Sequence, residues 1–213
     1  MCSPVVNDIT FRIAMVLKVY YGMDSKIFDV ETAFLHGDLE ELIYMECPQG
    51  MDHGDDEVLL LVKTIYGLVQ ASNRYGKKFA KALEDLGFKR CPSDPCLFMR
   101  GEGDDRLFIL TYVDDNLVLG KTKAIDKFME EFKSTEFTYT VEDTLDDYLS
   151  CEVLVDEDKK TGWIGQPHMV KKIEKTFGEE VKSLKEYKTP GTPGFKIQKP
   201  EEESEMIEEE LQS

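Results

Sequence analysis

Two adjacent carboxylates, Asp114 and Asp115, stand between apolar runs in the segment Leu107-Phe108-Ile109-Leu110-Thr111-Tyr112-Val113-Asp114-Asp115-Asn116-Leu117-Val118-Leu119. Each run reads as a short strand, which puts the pair at or beside the tip of a hairpin. A single Asp there is turn chemistry, because its side chain bonds its own backbone and tolerates tight bends. Two in succession repel each other, and a bound cation relieves that repulsion. A third carboxylate, Asp29, interrupts the apolar segment Ile27-Phe28-Asp29-Val30. If that segment lies beside the hairpin, the three carboxylates converge at one edge of a sheet. Such a set suits a two-metal phosphoryl-transfer site: hard Mg²⁺ takes oxygen ligands, one ion lowers the pKa of an attacking hydroxyl, and the other steadies the leaving group. Spacing does not fix the strand pairing, so on the residues alone a metal site and ordinary polar turn residues both stand.

The elements that must position these groups follow from apolar periodicity. Residues 8–21 carry apolar side chains at helical spacing after a cap at Asn7 or Asp8, and Gly22 ends the pattern. Residues 26–30 read as a strand, and 33–35 as a short helical turn stopped by Gly37. Strands follow at 42–46 and 57–63. Residues 72–86 form an amphipathic helix with Tyr75, Phe79, Ala82, Leu83 and Leu86 on one face. A Pro-rich link at 91–95 leads to a strand at 96–100 and then to the hairpin. Beyond it come a helix at 123–132, strands at 137–141, 149–155 and 161–164, and helical periodicity at 168–177. A break at Thr189-Pro190-Gly191-Thr192-Pro193-Gly194 precedes the acidic end. The expected fold class is α+β, a mostly antiparallel sheet covered by helices on one face.

The chain has 213 residues, enough to bury a real core as one domain with extensions. Its longest apolar runs, such as 58–62, are far too short to cross a bilayer, and the start lacks the order of a signal peptide, so an intracellular protein without membrane contact is expected. Cys2, Cys47, Cys91, Cys96 and Cys151 are scattered without zinc-like pairing and read as free thiols. His36, His53 and His168 likewise lack zinc spacing. Acidic side chains number 43 against 26 basic, a formal charge of −17, which argues against general affinity for nucleic acid. Seven Glu fall in residues 201–213; without them the charge is −10. Residues 194–213 are therefore expected to be a flexible acidic tail. Lysines cluster at 77, 78 and 81 and again at 171, 172 and 175, a spacing shared by phosphate-binding patches and ordinary solvated helix faces.

Three blocks in order carry a specific resemblance: Phe28-Asp29-Val30-Glu31-Thr32-Ala33-Phe34-Leu35-His36-Gly37-Asp38-Leu39 continuing to Pro48-Gln49-Gly50, then Lys63-Thr64-Ile65-Tyr66-Gly67-Leu68-Val69-Gln70-Ala71-Ser72, then Tyr112-Val113-Asp114-Asp115. Together they resemble the reverse transcriptase domain of Ty1/copia-type long-terminal-repeat retrotransposons, an RNA-directed DNA polymerase, over about residues 4–193. The resemblance implies a polymerase palm-like sheet and the addition of a dNTP to a primer 3′-hydroxyl on an RNA or DNA template. It makes Asp29 and Asp114 direct metal ligands, with Asp115 completing the site, for two Mg²⁺ or Mn²⁺ ions. It makes Phe34 the bulky residue that excludes a ribose 2′-hydroxyl, places Gln70 near nucleotide and template, and sets Tyr112 under the primer end. Read without it, Phe34 is a core aromatic, Gln70 a helix cap, Tyr112 a cross-strand packing residue, and His36 part of a turn. It also implies a cytoplasmic or virus-like-particle location.

The same resemblance exposes departures. By that resemblance the fingers, whose upstream strands carry the basic side chains that hold triphosphate and template, are expected to be truncated. Val69 stands where a Lys is usual, Ser72 where a Pro is, and Asn73-Arg74-Tyr75-Gly76 lacks an expected Trp. Cys151 or Ser150 replaces a Gly. Three functions remain open: a palm-region polymerase segment incomplete on its own, with weak or absent nucleic-acid binding; a non-catalytic remnant or interaction protein that keeps the palm fold; or an unrelated metal-dependent phosphotransfer enzyme.

Overall fold

The computed structural model describes residues 5–183 apart from 53, 55, 56, 143, 144, 146, 147, 150, 157 and 159. The acidic end and the expected boundary at 193 lie outside the described residues. By packing, the chain divides into Met1–Lys171 and Lys172–Ser213; in the second, the described residues are helical ones, 172–183.

In chain order the elements are α1 (Asp8–Tyr21), β1 (Asp24–Val30), a 3₁₀ turn (Ala33–His36), β2 (Tyr44–Glu46), β3 (Val58–Leu60), α2 (Ala71–Asp85), β4 (Lys89–Arg90), β5 (Leu97–Arg100), a second 3₁₀ turn (Gly103–Asp105), β6 (Leu107–Tyr112), β7 (Asp115–Gly120), α3 (Thr122–Phe132), β8 (Tyr139–Glu142), β9 (Glu152–Asp156), β10 (Thr161–Gly165) and α4 (Pro167–Ser183). The fold is a mixed α+β one. Six strands form the main sheet in the order β4-β5-β6-β7-β1-β8, every neighbour antiparallel. Two separate hairpins, β2-β3 and β9-β10, stand apart from it.

Local chemistry sets the limits of α1. The Asn7 side chain accepts from the Ile9 N–H at 3.2 Å, and Gly22 ends the helix in the left-handed region at φ 55°, where its N–H and that of Met23 close onto the last turn. Strands are shorter than the apolar runs suggested. The 57–63 run forms a ladder at Val58–Leu60 and a single bridge at Lys63 to Asp38, and the 149–155 run forms its ladder from Glu152 with a single bridge at Cys151 to Tyr148.

The expectation that helices cover one face of the sheet is wrong; both faces are covered. On one, α2 and α3 close over Phe28, Val30, Phe98, Leu107, Ile109 and Val118. On the other, α1 and the segment around Leu145 and Tyr148 close over Ile27, Phe108, Leu110, Leu117 and Leu119. Residues Leu107–Leu110 and Leu117–Leu119 are buried at every position, and a strand buried on both sides reads as a continuous apolar run. Phe28 is the pivot of the first core. It is fully buried, with ring centroids 5.3 Å from Phe132, 6.0 Å from Phe128 and Tyr139, and 6.5 Å from Phe79. That burial contributes roughly 1.5–3 kcal/mol and fixes the rotation of β1, so the next residue along faces away from α2 and α3.

Candidate active site

The residue after Phe28 is Asp29. β1 lies directly beside β7, in a register that sets Asp29 opposite Asp115. Tyr112 pairs with Asp115 across the hairpin, leaving Val113 and Asp114 as a two-residue turn. The Val30 N–H donates to the Asp114 carbonyl at 3.0 Å, so the turn is stitched to the end of β1. Val113 sits at φ 59°, a left-handed conformation that a β-branched side chain resists. Asp29, Asp114 and Asp115 are all half-buried.

Burial pushes the Asp29 carboxyl above its ordinary range, and the negative charges of Asp114, Glu142 and Glu31 push it further the same way. Glu142, on β8, and Glu31, just past β1, were not singled out by sequence reading; only their place beside Asp29 reveals them. The donor set fits a hard divalent cation, since it is all carboxylate and its mutual repulsion is what a positive charge would reverse. Among the described residues, no three His, Cys, Asp or Glu side chains already stand close enough to hold an ion. Ligation therefore requires the carboxylates to draw together.

Of the other expected site residues, Phe34 is half-buried in the 3₁₀ turn, its ring 4.4 Å from Tyr66 and 6.4 Å from Tyr75. The turn is held from below by Thr64, whose hydroxyl donates to the Phe34 carbonyl and whose N–H donates to the Gly37 carbonyl at 3.0 Å. Gln70 occupies the position before α2 but makes no cap with its side chain. Its Nε2 instead donates to Glu41 at 2.9 Å, and Arg74 donates to the other oxygen of that carboxylate at 3.1 Å. Tyr112 is exposed at the end of β6. His36 lies 3.3 Å from the Glu31 carbonyl and packs on Phe137 at 4.8 Å, which makes it part of the turn.

Two further polar residues lie under the turn. Asn116 is fully buried, and its Nδ2 donates to the Asp114 carbonyl at 2.6 Å and to the Phe28 carbonyl at 3.4 Å. Tyr75, from α2, is buried beside it, its phenol pushed well above the ordinary value by burial and by the charges of Asp114 and Asp29. A polar residue within Asn116-Leu117-Val118-Leu119 was the available signal for the first; nothing in the sequence marked the second. Cys96, at the cavity lined also by Tyr75, Thr111 and Val113, has its thiol pushed up to about 11 by burial, which removes it as a nucleophile near neutral pH.

A model of the family described as reverse transcriptase (RNA-dependent DNA polymerase) matches residues 1–183. The chain belongs to this family. Its relatives place it in the Ty1/copia-type branch. It is 30% identical over 200 residues to the retrovirus-related Pol polyprotein from transposon TNT 1-94 of Nicotiana tabacum, covering 92% of this chain and 15% of the relative. It is 32% identical over 152 residues to the Pol polyprotein from transposon RE2 of Arabidopsis thaliana, covering 70% and 10%. With the putative transposon Ty5-1 protein of Saccharomyces cerevisiae it shares 34% over 106 residues, covering 48% and 34%. The chain thus spans a small part of the length of the curated relatives it matches. No solved structure matches it.

For a reverse transcriptase chain, the fate of its cations matters as much as its carboxylates. Lys78 pairs with Glu136 at 2.8 Å and with Asp38 at 3.4 Å; Lys63 pairs with Asp38, and Arg74 with Glu40 and Glu41. Lys81 pairs with Asp85 at 2.6 Å along its own helix. The α2 lysine cluster is thereby largely neutralised within the chain.

Proposed function

We propose that this chain is the palm-like segment of a retroelement polymerase that transfers a nucleotide from a dNTP to a primer 3′-hydroxyl on an RNA or DNA template. The observation that carries the reading is the register of β1 against β7, which sets Asp29 opposite Asp115 and beside the Asp114 turn. Asp29 and Asp114 hold divalent cations, Mg²⁺ or Mn²⁺, with Asp115 completing the acidic edge. Such ions, when bound, lower the pKa of the attacking hydroxyl and offset charge on the triphosphate. In the reaction the primer 3′-oxygen bonds to the α-phosphorus, the bond to pyrophosphate breaks, and the hydroxyl proton leaves to solvent.

The chain's own residues supply placement. Phe34, braced by Tyr66 and Tyr75, offers a rigid ring where a deoxyribose carbon fits and a 2′-oxygen collides. Tyr112, exposed beside the turn, meets the primer end. Gln70 reaches nucleotide or template once it exchanges its bond to Glu41 for one to the ligand. An intracellular setting, in the cytoplasm or a virus-like particle, goes with this role; among the described residues no helix is long and apolar enough to cross a membrane.

The decisive experiment is primer extension in Mg²⁺ by the wild-type chain and by Asp114→Asn. Loss of a direct ligand is expected to lower extension more than about a hundredfold, since loss of a ligand's supporting contact alone costs 10–100-fold. Extension preserved in the variant sinks the reading. A second function, an interaction protein that keeps the fold without catalysis, is favoured by the internal pairing of Arg74, Lys63 and Lys78. Primer-template that fails to bind even at low salt, together with no extension, decides for it.

A further inference from the structure

Asn116 lies in the interior, and an amide costs free energy there unless its hydrogen bonds are made. Leucine has nearly the same shape and suits the flanking Leu117, Val118 and Phe28 better, so packing does not explain an amide at this position. Its bonds do. One planar group with two N–H donors reaches two carbonyls, one in the turn and one on β1. The nearer belongs to Asp114 in the turn, and the farther to Phe28, whose successor is Asp29. The side chain is therefore a strut between the two stretches of backbone that carry the candidate ligands.

The turn needs such a strut. Val113 is held at φ 59°, a conformation that persists only where its surroundings enforce it. Two donors enforce it at the Asp114 carbonyl: the Val30 N–H from β1 and the Asn116 amide from beneath. Behind the amide stands Tyr75 of α2, and the Tyr75 hydroxyl and Asn116 Oδ1 are both buried without a hydrogen-bond partner among the described residues. The strut is thus tied closely to the turn and at longer range to β1, through its N–H groups alone.

We propose that Asn116 is a positioning residue: its side-chain amide locks the backbone of Asp114 to that of Phe28 and so sets the spacing at which the Asp114 and Asp29 carboxylates meet a divalent cation. This rests on the metal-ligand reading given above. Asn116 touches neither metal nor substrate and acts through the backbone alone.

Two measurements on the full chain separate the proposal from the reading beneath it. The first is hydrogen exchange of the Val30 amide, which reports the lock directly without any ion. In Asn116→Leu it is expected to quicken by about tenfold, the net effect of losing both amide bonds, while amides in the middle of β1 and β7 keep their wild-type rates. The second is Mn²⁺ titration followed by electron paramagnetic resonance, in which Asn116→Leu weakens binding by about tenfold or more. Val30 exchange unchanged in Asn116→Leu overturns the lock, whatever the metal does. Wild-type Mn²⁺ binding indifferent to Asp29→Asn and Asp114→Asn overturns the metal-ligand reading, and the positioning role with it, even where exchange responds. Should Asn116→Leu fail to fold, Asn116→Thr serves instead: a hydroxyl donates to one carbonyl at a time, so exchange at Val30 rises by about threefold, and no rise overturns the lock.

Discussion

At the scale of single residues, Asp29 carries the clearest testable charge. Burial, then Asp114, Glu142 and Glu31, raise its carboxyl in the folded chain. A carboxyl raised on folding binds its proton better when folded than unfolded, so its stabilising contribution is full below the unfolded value and is lost as pH rises through the folded one. Near about pH 7 the ionised group therefore opposes folding, and Asp29→Asn is expected to raise the Tm there, with the difference vanishing near about pH 3. Added Mg²⁺ should reverse the order, stabilising only the wild type, because an ion that binds the folded state alone shifts the equilibrium by mass action. Thermal melts at the two pH values, with and without Mg²⁺, check both arms; a variant no more stable than wild type at neutral pH contradicts the first. Asp29 and the 114/115 pair were legible as residue types out of place among apolar neighbours. Asn116 carried the same mark without its role, and Glu31, Glu142 and Tyr75 carried none, since their relevance depends on which element lies beside which, and residue type alone carries no register.

At the scale of elements, the 3₁₀ turn bearing Phe34 depends on a close approach. A Cβ on Gly37 collides with the Thr64 hydroxyl and comes within 3.1 Å of the Arg74 Cβ. The φ of Gly37 is −70°, so the demand is for space and not for an unusual backbone. Gly37→Ala is expected to cost about 1–3 kcal/mol in denaturant unfolding, as overpacking does, and to shift Phe34 off Tyr66; a loss under about 0.5 kcal/mol contradicts this. Helices and the hairpin could be read from apolar spacing because both are local patterns. Limits of strands could not: the 57–63 run pairs with β2 at three positions and then switches to a lone bridge between Lys63 and Asp38. Sheet coverage was misjudged for a related reason. The unbroken burial of Leu107–Leu110 signals helices on both faces, but a short apolar run looks the same whether one neighbour or two lies against it.

At the scale of the molecule, charge governs which partners can approach. The formal −17 and the internal pairing of Arg74, Lys63 and Lys78 reduce the positive charge offered to a polyanion. Primer-template binding is therefore expected only at low salt, measurable near about 50 mM and lost by about 200 mM, with the double change Glu40→Gln and Glu41→Gln tightening it by freeing Arg74. Fluorescence anisotropy across a salt series checks both, and no gain from the double change places the relevant cations elsewhere. Two-sided coverage of β6 has a consequence outside catalysis. Leu107 to Val113 contains no charge, proline or glycine, the composition of segments that self-stack into cross-β fibrils once uncovered. In the native chain two layers hide Leu107 to Leu110, and Arg106 and Asp114 flank the run as gatekeepers. Uncovered in the unfolded chain, the run still has a charge at each end, which disfavours the stacking of one copy on another.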